Sequence, residues 1–213
     1  GMARSIWLFE YTRLNPKGLY LQPMIEALTA RYTFAKAPQN LLDLTDNALA
    51  FKSGKFVNSK GVAVLVKFSI YDDGIIGETV ASTDDSTEFL NDVASWAKEE
   101  FGLQVPSNAR KAYASQIVFE CDAPLLALSP KIAQLLRSVQ ARYQPLDGKP
   151  REFDFTGLSF WTEDVTKPLA PSMVKIERKI GPSFAQNMYF SQAPFETRSH
   201  IELLMELEAL LTT

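Results

Sequence analysis

The sequence predicts an α+β fold made of an internally duplicated unit, each copy running strand, helix, three or four antiparallel strands, helix. Three observations carry this reading. Residues Gly61 to Phe101 read as a β-hairpin feeding directly into an amphipathic helix. A second hairpin and helix follow over residues 172 to 211. Short anchors also recur at a near-constant offset. Phe9-Glu10 matches Phe119-Glu120, Pro23 matches Pro130, Val66-Lys67 matches Val174-Lys175 and Ser82 matches Ser191, at separations of 110, 107, 108 and 109. The period is far too long for a solenoid. It points to two repeats, 2–105 and 110–213, with antiparallel strands, helices on one face and a saddle-like pseudo-twofold arrangement.

The elements follow in order. Ser5 to Tyr11 is short, aromatic and β-branched, which favours a strand. Asn15-Pro16 and Gly18 signal a turn. Pro23 suits the first turn of a helix, where its missing N–H costs nothing, and Met24, Ile25 and Leu28 follow at helical spacing to about Arg31. Tyr32 to Ala37 is extended ahead of Pro38, and 38–49 is loop. Phe51 to Val57 is a strand. In the next, Val62 to Tyr71, the residues Val62, Val64, Val66, Phe68 and Ile70 share one face. Asp73-Gly74 marks a tight turn and Ile75 to Ala81 returns. Ser82 to Asp85 offers N-cap oxygens, with Asp85 and Glu88 spaced as a capping box. Phe89, Leu90, Val93, Trp96 and Ala97 form the helix stripe that Gly102 ends.

Leu103 to Arg110 reads as a linker. Ala112 to Glu120 is then a strand, Pro130 opens a helix through Leu135, Leu136 and Val139, and Glu152 to Trp161 is a strand. Ser172 to Ile180 and Phe184 to Ser191 make a hairpin about Gly181-Pro182. The closing helix, Phe195 to Leu211, presents Leu203, Leu204, Leu207, Leu210 and Leu211.

This order of elements resembles the duplicated saddle of the TATA-box-binding protein family, across the whole chain and in element order only. A fold likeness of this kind carries no function with it. The net charge of −3 also departs from a basic DNA-binding face, so nucleic acid is disfavoured as a partner.

Composition bounds the chemistry. A chain of 213 residues, 46% hydrophobic and 22% charged, can bury a sizeable core. Its one cysteine, Cys121, allows no internal disulfide and reads as a small buried thiol. Its one histidine, His200, allows no multi-histidine metal site and reads as a surface or helix-edge residue. No apolar run reaches transmembrane length and the start lacks a signal-peptide pattern, so the cytoplasm is the expected compartment, with no membrane partner. Asp72, Asp73, Glu78, Asp84 and Asp85 are the densest acidic group, but turn formation and helix capping explain them without a metal. The glycines are scattered singly and compose no phosphate or dinucleotide loop, so no cofactor is implied.

The candidate site is the sheet face turned away from the helices. It should carry Leu65, Lys67 and Tyr71, then Met173, Lys175, Glu177 and Lys179, joined by Asn187 and Tyr189. Lys67, Tyr71, Lys175, Lys179 and Tyr189 are the expected ligand- or partner-binding residues, since cations interleaved with aromatics suit a carboxylate, a phosphate or an acidic loop. Glu10 or Glu120 is expected to approach Lys67 or Lys175. The reading is a non-enzymatic binding or assembly module that uses this face or its C-terminal helix on a protein partner or a second copy. The alternative is an enzyme or small-anion binder on the same face.

Overall fold

A computed structural model describes residues 1–15, 22–163 and 170–212; the turn signals at Pro16 and Gly18 lie outside them. The class is α+β with antiparallel strands. The strands are β1 (Met2–Leu8), β2 (Leu49–Val57), β3 (Ala63–Tyr71), β4 (Gly74–Thr79), β5 (Arg110–Glu120), β6 (Gly157–Phe160), β7 (Val174–Arg178) and β8 (Met188–Ala193). The helices are α1 (Tyr11–Leu14), α2 (Gln22–Arg31), α3 (Thr83–Phe101), α4 (Pro130–Arg142) and α5 (Thr197–Thr212). Internal contacts divide the chain into Gly1–Ser115 with Pro194–Thr197, and Gln116–Ala193 with Arg198–Thr213. No helix among the described residues is long and apolar enough to cross a membrane.

In the first unit the strands lie in the order β2-β3-β4-β1, followed by the unit's share of β5. Alternation in β3 sorts Val64, Val66, Phe68 and Ile70 inward, while Leu65 and Lys67 face out. Helices α2 and α3 both pack on the inward face, through Met24, Ile25 and Leu28 and through Phe89, Leu90, Val93 and Ala97. Phe89 is fully buried, with the rings of Tyr32, Phe56 and Phe68 at 5.1, 5.6 and 6.0 Å. Truncating such a ring to alanine costs about 3–5 kcal/mol.

Several expectations shift by a few residues, each for a local reason. β1 ends at Leu8, because its partner β4 begins at Gly74 opposite Leu8 and the last ladder bond runs from Phe9 N–H to Asp73 O. Glu10 therefore lies beyond the strand. The hairpin turn is Asp72-Asp73, with Tyr71 paired to Gly74. Gly74 is needed for another reason: its φ is +154° and a Cβ there would sit 2.1 Å from Trp7 O. The α3 cap is Ser82, whose Oγ accepts from Asp85 N–H and donates to Asp85 Oδ2. Glu88 instead accepts from the Ser59 backbone. Gly102 ends α3 in the left-handed conformation, as expected. At the helix starts, Thr83 N–H donates to Thr197 Oγ1 at 2.9 Å and Thr197 N–H donates to Thr83 Oγ1 at 2.8 Å. Each hydroxyl thus satisfies an N–H that has no partner within its own helix.

The second unit orders its strands β5-β8-β7-β6. Its core is small: Cys121, Leu125, Ile176, Tyr189, Leu204, Leu207 and Leu211. α5 buries Leu204, Leu207 and Leu211 as expected, but also His200, while Leu210 faces out. α4 buries no residue, and Leu135 and Val139 are exposed. The connection from β7 to β8 is longer than a tight hairpin, because Phe184–Gln186 forms a 3₁₀ turn closed by Ser183 and Gln186. β6 is confined to Gly157–Phe160, which pairs with Glu177 to Val174.

Candidate functional site

The outward face of the first unit carries a polar row across three strands. Register places Arg4 of β1 and Lys67 of β3 on either side of Glu78 of β4. Arg4 Nε donates to Glu78 Oε2 at 2.7 Å and Lys67 Nζ donates to Glu78 Oε1 at 2.5 Å. The Glu78 side chain is only 12% exposed, against 42% for Arg4 and 55% for Lys67. Burial by itself raises the Glu78 pKa, but the hydrogen bonds and charges of Lys67 and Arg4 outweigh it and hold the carboxyl below its usual range. Glu78 is therefore ionised and committed to two cations.

The row meets an irregularity in β2. Phe51 pairs with Phe68 but Gly54 with Val66, so Lys52 and Ser53 together oppose the single Lys67. This is a β-bulge, a feature that re-aims side chains beside binding sites. Ser53 sits at φ +58°, which L-residues adopt only under constraint. The constraint is visible in the chain from Phe34 onward: Ala35 N–H donates to Ser53 O, and Lys36 and Lys52 exchange backbone bonds of 3.2 and 2.8 Å.

Arg4, Lys52, Lys67, Glu78, Ser69, Tyr71 and Ile76 surround a pocket of about 230 Å³, with Thr45 and Asp46 also lining it. Among the described residues, three cationic and two acidic residues thus line the pocket, and Glu78 is already bonded to two of the cations. Beyond the Lys67–Glu78 pair lies a second hollow of about 110 Å³, lined by Ser53, Leu65, Val66, Thr79 and Val80. On the helix side, a small gap of about 30 Å³ among Leu14, Phe68 and Trp96 is lined by apolar side chains and belongs to the core.

Of the residues expected from the sequence, Lys67 and Tyr71 stand together in this pocket. Lys175 and Lys179 lie in the second unit, where Lys175 pairs with Glu177 at 2.6 Å and Lys179 is exposed just beyond β7. Tyr189 is not on the open face. It is fully buried, its hydroxyl accepting from Leu125 N–H at 3.0 Å and from Arg178 Nη2 at 3.1 Å. β8 turns Tyr189, Ser191 and Ala193 inward together, so the parity of the strand decides its side. Arg178 itself pairs with Asp154, both side chains being nearly buried. The expected approach of Glu10 or Glu120 to a lysine fails: Glu10 pairs with Arg13 at 3.5 Å and Glu120 is exposed, while Lys67 and Lys175 are taken by Glu78 and Glu177.

His200 is buried, not peripheral, with Nε2 2.7 Å from Ser191 Oγ. Burial lowers its pKa to about 4. Cys121 is buried, and burial together with Glu208 pushes its thiol up to about 12. Neither group reaches a pocket given above.

Arg4, Lys52 and Glu78 are the site residues that sequence reasoning missed. Starting β1 at Ser5 removed Arg4 from the face, although the alternation Ala3, Ser5, Trp7 inward against Arg4 outward is readable. Glu78 was visible only as one of several acidic residues, and the bulge at Lys52 had a local sign in the isolated Gly54 inside the β2 strand. No protein-family model matches this chain, and no curated protein matches it.

Proposed function

We propose that the chain is a binding module whose first unit holds a small anion on the open face of its sheet. The carrying observation is the Arg4–Glu78–Lys67 row beside the bulge at Lys52. A nearly buried carboxylate fixes two cations, and both of those residues also line the pocket. Among the described residues Arg4 spends only Nε, so both terminal nitrogens form a fork suited to a carboxylate or phosphate. Ser69 and Tyr71 add hydroxyls at the same wall. Binding is favoured over catalysis because Glu78, the best-placed carboxylate, is ionised and doubly engaged, which suits orienting cations and not accepting a proton. Calorimetric titration with inorganic phosphate and with acetate tests the reading. Binding that weakens at least tenfold in both Arg4→Gln and Lys67→Met is expected; no heat with either anion would remove it.

A second reading, assembly, is favoured by one observation. α4 carries Lys131, Arg137 and Arg142 with no acidic residue, buries nothing and exposes Leu135 and Val139. Light scattering across a hundredfold concentration range tests it, with a mass above the monomer that Leu135→Glu abolishes as the expected result.

A further inference from the structure

We infer that the ligand of this face is an amphiphilic anion: a compact carboxylate or phosphate head carrying a short apolar arm. The inference rests on the anion-binding reading and adds a specificity to it. The Lys67–Glu78 pair lines both hollows, so the polar pocket and its neighbour are two compartments of one surface, separated by that pair. They differ in chemistry. The first is walled by Arg4, Lys52, Ser69 and Tyr71; the second by the apolar side chains of Leu65 and Val80.

Leu65 and Val80 are 52% and 59% exposed, beside the charged row of Arg4, Glu78 and Lys67. They flank the ion pair on the side away from Tyr71. The first hollow, at about 230 Å³, is roughly twice the size of the second, at about 110 Å³. That partition fits an oxyanion with some polar surroundings in the first, and a short apolar arm in the second.

The ion pair does not have to break to admit such a ligand. A lysine ammonium has three donors, and Lys67 spends one on Glu78. The ammonium can therefore hold Glu78 and the anion together at the junction, with Arg4 and Lys52 completing the head site and the arm passing over Lys67 to Leu65 and Val80. Each methylene buried there is worth about a fourfold gain in affinity.

The test is calorimetry on the whole chain at fixed pH and ionic strength, comparing hexanoate with acetate and n-hexyl phosphate with inorganic phosphate. The expected result is that each alkyl anion binds at least tenfold tighter than its short partner. The double variant Leu65→Ser/Val80→Ser should erase that gain and leave short-anion affinity within twofold. Methyl resonances of Leu65 and Val80 in the unmodified chain should shift with the alkyl anions and stay still with the short ones. Equal affinity for long and short anions overturns the amphiphile inference and leaves the anion site standing. A chain-length gain that survives the double variant, or unmoved methyls, also overturns it by placing the arm elsewhere. Absence of binding by all four anions removes the anion site and this inference with it.

Discussion

His200 Nε2 lies 2.7 Å from Ser191 Oγ, and neither side chain reaches solvent. Ser191 Oγ also donates to Lys175 O at 3.1 Å, a group that can only accept. The hydroxyl proton is thus used, and the imidazole Nε2–H donates to Ser191. A neutral ring satisfies this arrangement, while a charged ring is penalised by burial.

The consequence is acid sensitivity with a defined window. His200 titrates near 6.5 when unfolded and about 4 when folded, so the unfolded chain takes up the proton first. Its contribution is complete above pH 6.5 and is lost as pH falls towards 4, at about 1.4 kcal/mol per unit and about 3 kcal/mol in all. Urea midpoints at pH 7 and pH 5 should show the loss, and His200→Gln should flatten it. A wild-type midpoint that stays level across this interval refutes the assignment.

Glu78→Gln should destabilise the chain by about 1–2 kcal/mol. The carboxylate is nearly buried, but Arg4 and Lys67 are about half exposed, which cuts the full 3–5 kcal/mol cost of breaking a buried pair. Because its pKa is lowered, Glu78 contributes above the usual carboxylate range and loses that contribution as pH drops below it. Thermal melts at pH 7 and pH 3.5 check this, with the difference between wild type and variant narrowing at the lower pH.

Tyr189→Phe should cost about 1–3 kcal/mol, the price of leaving the buried Leu125 N–H without its acceptor. It should not change anion affinity, because Tyr189 belongs to the second unit's core. Affinity that falls with intact stability would return Tyr189 to the list of binding residues.

Gly74→Ala should be among the most damaging single-methyl changes, at about 3 kcal/mol or more. The new Cβ meets the Trp7 carbonyl at 2.1 Å, and φ +154° is itself strained for alanine. A melting temperature within two degrees of wild type, on the order of 0.5 kcal/mol, would show that the β1–β4 edge yields.

Much of the first unit was legible because its signals are local. The alternation of β3, the stripe of α3 and its Gly102 stop each depend on residues a few positions apart. The second unit was less legible. α4 has the spacing of a packed helix and buries nothing, because periodicity records an apolar face and not whether anything covers it. His200 was misplaced for the converse reason: one polar residue in the apolar stripe of α5 looks peripheral until Ser191 of β8 is brought beside it.

From sequence alone follow the α+β class, the antiparallel strand character, most helix bounds and the presence of Lys67 and Tyr71 on an open face. Those are consequences of side-chain period and of caps and turns. The candidate site is decided by tertiary structure, because Arg4, Lys52, Lys67 and Glu78 come from four strands and become neighbours only through register. A shift of one residue in any of those pairings would turn the side chain concerned to the opposite face.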